Sequence, residues 1–202
     1  RKGHEIAAHG YSHTPVFRLD PSEFEEDLEK GLNAIKKCGL RQDVIGYRAP
    51  SFSITKKTIW ALDLLEKHGF KYDSSIFPVG FHPDYGMPDA PLNPYKITKN
   101  LHEFPLSCAR VLGVNLPCSG GAYFRILPFS YTSSCMRSRN SKGYPVVFYT
   151  HPWEFDPDQP KIKLPALKSF RHYHNLAKAK GKFERLLREF RFAPLKDVLG
   201  LQ

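Results

Sequence analysis

His9-Gly10-Tyr11-Ser12-His13 places two imidazoles four residues apart. Two neutral imidazoles close together form half of a site for a divalent metal, usually zinc. A chain with nine histidines produces such a pair easily, so the spacing alone carries little. Arg48, Asp73 and His151 add weight, because each closes a stretch that reads as a strand. Ligand and catalytic residues of parallel α/β folds gather at that edge. Four strand ends offering His/His, Arg, Asp and His describe a metal-assisted hydrolase with a carboxylate-tuned imidazole. The competing reading is ordinary loop polarity, with Arg48 and Asp73 as surface charges. Trp153, beside His151, suits either a core wall or a sugar platform, and Glu154 either lines a cleft or pairs with an arginine. His68 and His102 read as surface or packed residues, and His172 and His174 show no ligand spacing.

The elements that must position these residues alternate. Gly3 to His9 reads as a short strand. Asp20-Pro21-Ser22-Glu23 announces a helix, with Asp20 as N-cap, Pro21 first and Glu23 closing a capping box. Phe24, Leu28, Leu32 and Ile35 follow at helical spacing, and Gly39 ends it. Asp43 to Tyr47 is the next strand, followed by a helix from Thr55 to Gly69 and a third strand over Phe70-Lys71-Tyr72. Strand, polar residue, helix and glycine in repeated order argue a parallel α/β architecture. Residues 78–95 read as an ordered loop, and Leu101 to Phe124 as short strands broken at Pro117 and Gly120-Gly121. Tyr144 to Tyr149 reads as a buried strand, and Phe170 to Phe190 as one last helix.

Length and composition bound these readings. The chain has 202 residues, 41% of them hydrophobic and 25% charged, which suits a single globular domain over 1–202 and excludes a mostly disordered one. No apolar run approaches the roughly 20 residues of a membrane-spanning helix. The formal charge is +10. Residues 161–202 hold 11 basic against 3 acidic residues, a basic C-terminal segment suited to an acidic polymer or simply to a solvated helix face. Cys38, Cys108, Cys118 and Cys135 show no zinc-knuckle spacing and read as free thiols, with a Cys108–Cys118 pair across a hairpin as the alternative.

Taken together the blocks resemble a known family. Gly3-His4-Glu5-Ile6 through His13, the Arg48-Ala49-Pro50 turn, Tyr72-Asp73-Ser74-Ser75 and the segment leading to His151 look like motifs two to five of the polysaccharide deacetylases, the NodB homology fold of carbohydrate esterase family four. A subgroup found with exopolysaccharide and exosortase gene clusters is similar over further blocks. They are Gly46 to Ile54, Tyr72 to Pro78, Tyr85 to Pro91, Gly120 to Arg125, His151-Pro152-Trp153-Glu154 and Phe170-Arg171-His172-Tyr173.

The resemblance implies a distorted (β/α) barrel and hydrolytic N-deacetylation of an N-acetylhexosamine-containing polysaccharide. It implies His9 and His13 as ligands of a divalent metal, most simply zinc, and Arg48 as the residue holding the catalytic base. Asp73 would orient His151, the general acid toward the departing amine, while Trp153, Tyr149 and Pro50 would meet the glycan. In such chemistry a metal polarises the carbonyl and acidifies water, and an acid must protonate nitrogen because an amine anion leaves poorly. An N-acetylated glycan is then the expected partner, with no nucleic acid, in the bacterial cytoplasm or at its membrane face.

Motif one, an Asp-bearing strand end supplying the base and a third metal ligand, has no counterpart here, because only eight residues precede His9. The first strand–helix units of the barrel are expected to be missing with it. Asp156 and Asp158 follow His151 too closely to replace it. Gly10 stands where the wider family often has Ser or Thr. Two other readings remain at this stage, a truncated relative that binds glycan without catalysis and a basic module for acidic polymer or nucleic acid. Chelation separates the first reading from the last, and salt dependence marks the last.

Overall fold

The computed structural model describes residues 3–40, 42–80, 82 and 85–201. They fall into two compact units, Arg1–Leu106 with Ala193–Gln202, and Ser107–Phe192.

In the first unit the chain passes from a 3₁₀ turn into α1 (Pro21–Lys37). Asp20 accepts from the Glu23 N–H while Glu23 reaches back to the Asp20 N–H, so the expected capping box is formed. Phe24 and Leu28 are buried, and Leu32 and Ile35 pack on the same core. Strands β1 (Gly46–Tyr47), β2 (Tyr72–Asp73), β3 (Tyr95–Lys96) and β4 (His102–Glu103) form one sheet in the order β1-β2-β4-β3, parallel except for β3. A short helix, α2 (Ala61–Lys67), links β1 to β2, and α7 (Leu195–Val198) returns to this unit, where the Lys196 N–H donates to Glu5.

The sheet is shorter than the sequence suggests. The expected strand over residues 3–9 contributes a single parallel bridge, Ala8 to Tyr47, closed by Ala8 N–H to Gly46 (2.8 Å) and Arg48 N–H to Ala8 (3.0 Å). The expected helix from Thr55 begins only at Ala61, because residues 55–61 close i→i+3 turns and the Thr58 hydroxyl donates to the Ser53 carbonyl.

Gly46 sits where a Cβ would enter the ring of Tyr72. That ring is itself buried, with its hydroxyl donating to Glu5 at 2.9 Å. Gly46→Ala is expected to cost about 1–3 kcal/mol, the usual scale of overpacking, read as a lower urea midpoint at unchanged slope. An unchanged midpoint would show that Tyr72 has room to move.

The second unit opens on the hairpin β5 (Cys108–Val111) and β6 (Val114–Pro117), then α3 (Gly121–Ile126), α4 (Phe129–Asn140), α5 (Ala166–Tyr173) and α6 (Leu176–Glu189). Phe124, Phe129, Met136 and Leu186 form its core, with Val146, Phe148, Phe183 and Phe190 packed against them. The ammonium of Lys182 on α6 donates to the carbonyls of Phe124, Arg125 and Leu127, closing the C-terminal end of α3. All four cysteines are free, with Cys108 and Cys118 at the base of the hairpin.

Two sequence expectations are corrected here. Residues 144–149 form no strand. The Val147 N–H donates to the Ser107 hydroxyl, its carbonyl accepts from Ser119, and the Tyr149 carbonyl accepts from the Gly121 N–H. Side chains and a helix start thus take the hydrogen bonds a ladder would have used. The single helix from Phe170 to Phe190 is two helices, broken at Asn175 in the left-handed region (φ 57°). The carbonyls of Arg171, His172 and His174 at the break are held by the guanidinium of Arg125.

The charge also divides along this boundary. Ser107–Phe192 carries 15 basic and 5 acidic residues, hence the whole formal excess of +10, and the other unit is balanced. The basic character therefore starts well before residue 161.

Candidate active site

In the first unit the C-terminal edge of the parallel strands presents His9, Arg48 and Ser74, each one residue beyond its bridge or strand. His9 and His13 meet edge to face, with ring centroids 4.9 Å apart. Nδ1 of His9 lies 2.7 Å from the Arg48 carbonyl. A carbonyl only accepts, so Nδ1 carries the hydrogen and Nε2 the lone pair, the arrangement found behind metal-bound histidines.

The turn that brings the two rings together depends on residues the sequence did not single out. Asp27 of α1 is buried and accepts from the N–H groups of both Tyr11 and Ser12 at 2.8 Å. Gly10 adopts φ +73°, and a Cβ there would come within 3.2 Å of Asp27 Oδ2 and 3.3 Å of Pro50 Cγ. Ser or Thr at this position would be both strained and crowded. Pro50, expected to meet substrate, is buried beneath this turn. Asp27 shares the helix stripe of Phe24, Leu28 and Gly31, and an acid inside an apolar stripe was the available signal. A cleft of ≈ 170 Å³ lies between the turn and this helix, lined by His9, Tyr11, Asp27 and Leu28 among others.

Arg48 donates from Nε to the Ser74 carbonyl (2.8 Å) and from Nη2 to the Ser74 hydroxyl (2.7 Å). Asp73 is fully buried; its Oδ1 accepts from the Ser75 hydroxyl at 2.5 Å, and Oδ2 from the Ser75 N–H at 3.2 Å. Its cross-strand neighbour is Glu103, also fully buried. Glu103 Oε1 accepts from the Ile76 N–H (3.1 Å), while Oε2 meets no donor. Burial, then the Asp73 charge, push the Glu103 carboxyl well above its ordinary range. Burial raises Asp73 too, opposed by hydrogen bonds from Glu103 and Ser75 and by the charge of Arg48. Two neighbouring carboxylates buried this far from water do not both ionise, and the stronger upward push falls on Glu103.

In the second unit His151 caps a 3₁₀ turn, Pro152–Phe155, that contains Trp153 and Glu154. Glu154 Oε1 lies 2.9 Å from His151 Nδ1, and Oε2 lies 2.7 Å from Arg125 Nε. Trp153 stacks between the rings of His151 (5.6 Å) and His172 (4.2 Å), and the Arg125 guanidinium lies 5.3 Å from its centroid. Tyr149 lies edge-on to His151 at 6.2 Å and walls the positive-φ pair Gly120-Gly121. Arg125 closes the Gly120–Arg125 block, and nothing in its local sequence marks it as buried.

Among the described residues, Glu25, Glu29 and His68 form the one group of three or more side chains with metal-type donors close together. Glu25 there is already paired with Lys67 (2.7 Å) and His68 (2.6 Å), so the group is accounted for as a surface ion-pair cluster.

Comparison with known proteins agrees with the motif order. Residues 1–72 match the polysaccharide deacetylase family, and residues 74–200, more than half the chain, match a domain of unknown function, DUF3473. A peptidoglycan deacetylase of Helicobacter pylori is 39% identical over 83 residues, 41% of this chain and 27% of the relative. The peptidoglycan deacetylase-like protein FGM2 of Gibberella zeae is 39% identical over 74 residues, 37% of this chain and 21% of the relative. The chain thus spans about a quarter of the length of these curated relatives. No helix among the described residues is long and apolar enough to cross a membrane. With His9 and Arg48 on one parallel edge, Asp73 closing β2 beside it and the two family matches laid end to end, residues 1–72 are those of a polysaccharide deacetylase NodB-type domain, and over residues 74–200 the chain belongs to the DUF3473 family.

Proposed function

We propose that this chain catalyses, or forms the larger part of a domain that catalyses, metal-dependent hydrolytic N-deacetylation of an N-acetylhexosamine polymer, an exopolysaccharide being the favoured substrate. The observation that carries the reading is the His9–His13 pair, edge to face at 4.9 Å, with His9 Nδ1 committed to a backbone carbonyl. The two relatives, a peptidoglycan deacetylase and a peptidoglycan deacetylase-like protein, support the reaction class. Residues 1–202 are proposed as one catalytic domain related to the distorted (β/α) barrel, located in the cytoplasm.

The donor set fits a divalent metal. His9 and His13 would hold it, and zinc is the proposed ion because two imidazoles suit it. When bound, such an ion polarises an amide carbonyl and acidifies a water molecule. The chain's own residues do the rest. Asp27 fixes the backbone of the ligand turn. Arg48, anchored on Ser74, keeps a positive charge at the strand edge for an anionic base. His151 supplies a proton to the departing nitrogen, without which the C–N bond does not break. Trp153 and Tyr149 offer aromatic surface for sugar rings.

The test is acetate release from N-acetylglucosamine oligomers together with metal content, on this chain alone and within any longer chain that encodes it. His9→Ala and His13→Ala are each expected to lower zinc affinity at least 10-fold and to abolish turnover that chelation also abolishes. Metal binding unchanged in both variants would remove these ligands, and no chelator-sensitive acetate release from any form would remove the enzyme reading.

The concentration of all ten excess charges in Ser107–Phe192 favours a second reading, binding of an acidic polymer by that unit. It is marked by affinity that falls steeply with salt and ignores chelator.

A further inference from the structure

We infer that Glu154 is the residue that positions His151 for proton transfer, an inference that rests on the deacetylase reading above. The resemblance gives this task to Asp73. Within its own unit, however, His151 already has a carboxylate built against it. Both the backbone N–H (3.0 Å) and Nδ1 (2.9 Å) of His151 meet Glu154 Oε1, and the Thr150 hydroxyl lies 3.4 Å from the same oxygen. Glu154 and Arg125 are 2% and 1% exposed, whereas the His151 side chain is 51% exposed. A buried carboxylate thus stands behind a ring whose other side meets solvent.

The carboxylate cannot swing away. Its second oxygen is held by Arg125 Nε, and that guanidinium is fixed by the carbonyls of Arg171 (2.8 Å), His172 (3.0 Å) and His174 (2.8 Å). Burial pushes the Glu154 carboxyl up, but hydrogen bonds from His151 and Arg125 outweigh it and hold it below its ordinary value. It therefore stays charged at neutral pH and can only accept. Nδ1 of His151 must carry a hydrogen, which leaves Nε2 to exchange protons with whatever docks at the exposed side. Trp153 stacked on the ring restricts its rotation further. The charged and titratable groups facing this assembly include Glu154, Arg125, Tyr149 and, across Trp153, His172.

Nitrogen NMR of the ¹⁵N-histidine-labelled full chain tests the pairing directly, with His151→Ala assigning the signal. Neutral His151 is expected to show a protonated Nδ1 and a lone-pair Nε2, and Glu154→Gln to show a mixture. A wild-type ring protonated on Nε2 overturns the proposal without any variant having to fold. Kinetics then separate positioning from mere support. In a form that turns over, Glu154→Gln is expected to lower kcat about 10–100-fold with KM within about twofold. Wild-type turnover with an unchanged kcat in Glu154→Gln overturns the proposal and leaves the deacetylase reading intact. No wild-type turnover in any form removes that reading and the catalytic part of this one.

Discussion

Arg125→Met is expected to destabilise the Ser107–Phe192 unit by about 3–5 kcal/mol, the cost of breaking a buried ion pair by removing one partner. Methionine keeps the apolar stem of Arg125 and removes its guanidinium. What is lost is charge and donors. Glu154 remains buried, facing only His151 and Thr150. The carbonyls of Arg171, His172 and His174 at the end of α5 lose the donor that closed them. A last helical turn whose carbonyls lose their donors is itself destabilised. Urea unfolding monitored by Trp153 fluorescence measures the loss. The double variant Arg125→Met/Glu154→Met separates the two contributions. Restoration of most of the stability would assign the loss to the unpaired carboxylate, and little restoration would assign it to the helix break. An Arg125→Met protein within 1 kcal/mol of the wild type would mean that water reaches this assembly.

Legibility followed the range of the interactions. The start of α1 was readable because an N-cap, a proline and a capping-box glutamate act on neighbours within four residues. The order of His9, Arg48 and Asp73 along the parallel edge was readable because strand ends in such folds converge. Segments whose partners lie far along the chain were misread. Residues 144–149 have the apolar content of a strand, but Ser107 and Ser119, about 30 to 40 residues earlier, take their hydrogen bonds. The continuous 3.6-residue pattern over Phe170–Phe190 gave no hint that Arg125 would hold the carbonyls at Asn175. Asp27 and Glu103 illustrate the same limit at the site. Each is an ordinary acidic residue in sequence, and each acquires its meaning from burial against a segment remote in the chain.

The Asp73–Glu103 pair has a consequence for stability that runs opposite to most carboxylates. Glu103→Gln is expected to stabilise the protein at neutral pH. The carboxamide keeps an oxygen for the Ile76 N–H and offers N–H donors beside the Asp73 charge in place of an acid that must stay protonated. In the wild type the folded state holds a proton that the unfolded chain releases above its ordinary value of 4.5. With more protons bound in the folded state, stability falls as pH rises from that value toward the raised folded one. Glutamine has no proton to release, so the penalty disappears. The penalty grows with each step of pH above 4.5 until the folded state also releases the proton. The gain of Glu103→Gln over wild type is therefore expected to be small near pH 4 and to widen toward pH 7 in parallel urea titrations. A gain that is flat with pH, or largest in acid, would show that Glu103 is ionised in the fold and that Asp73 holds the proton instead. The assignment matters for the site, because Arg48 and the Ser75 hydroxyl are arranged to face a charged Asp73, and only a neutral Glu103 lets that charge persist away from water.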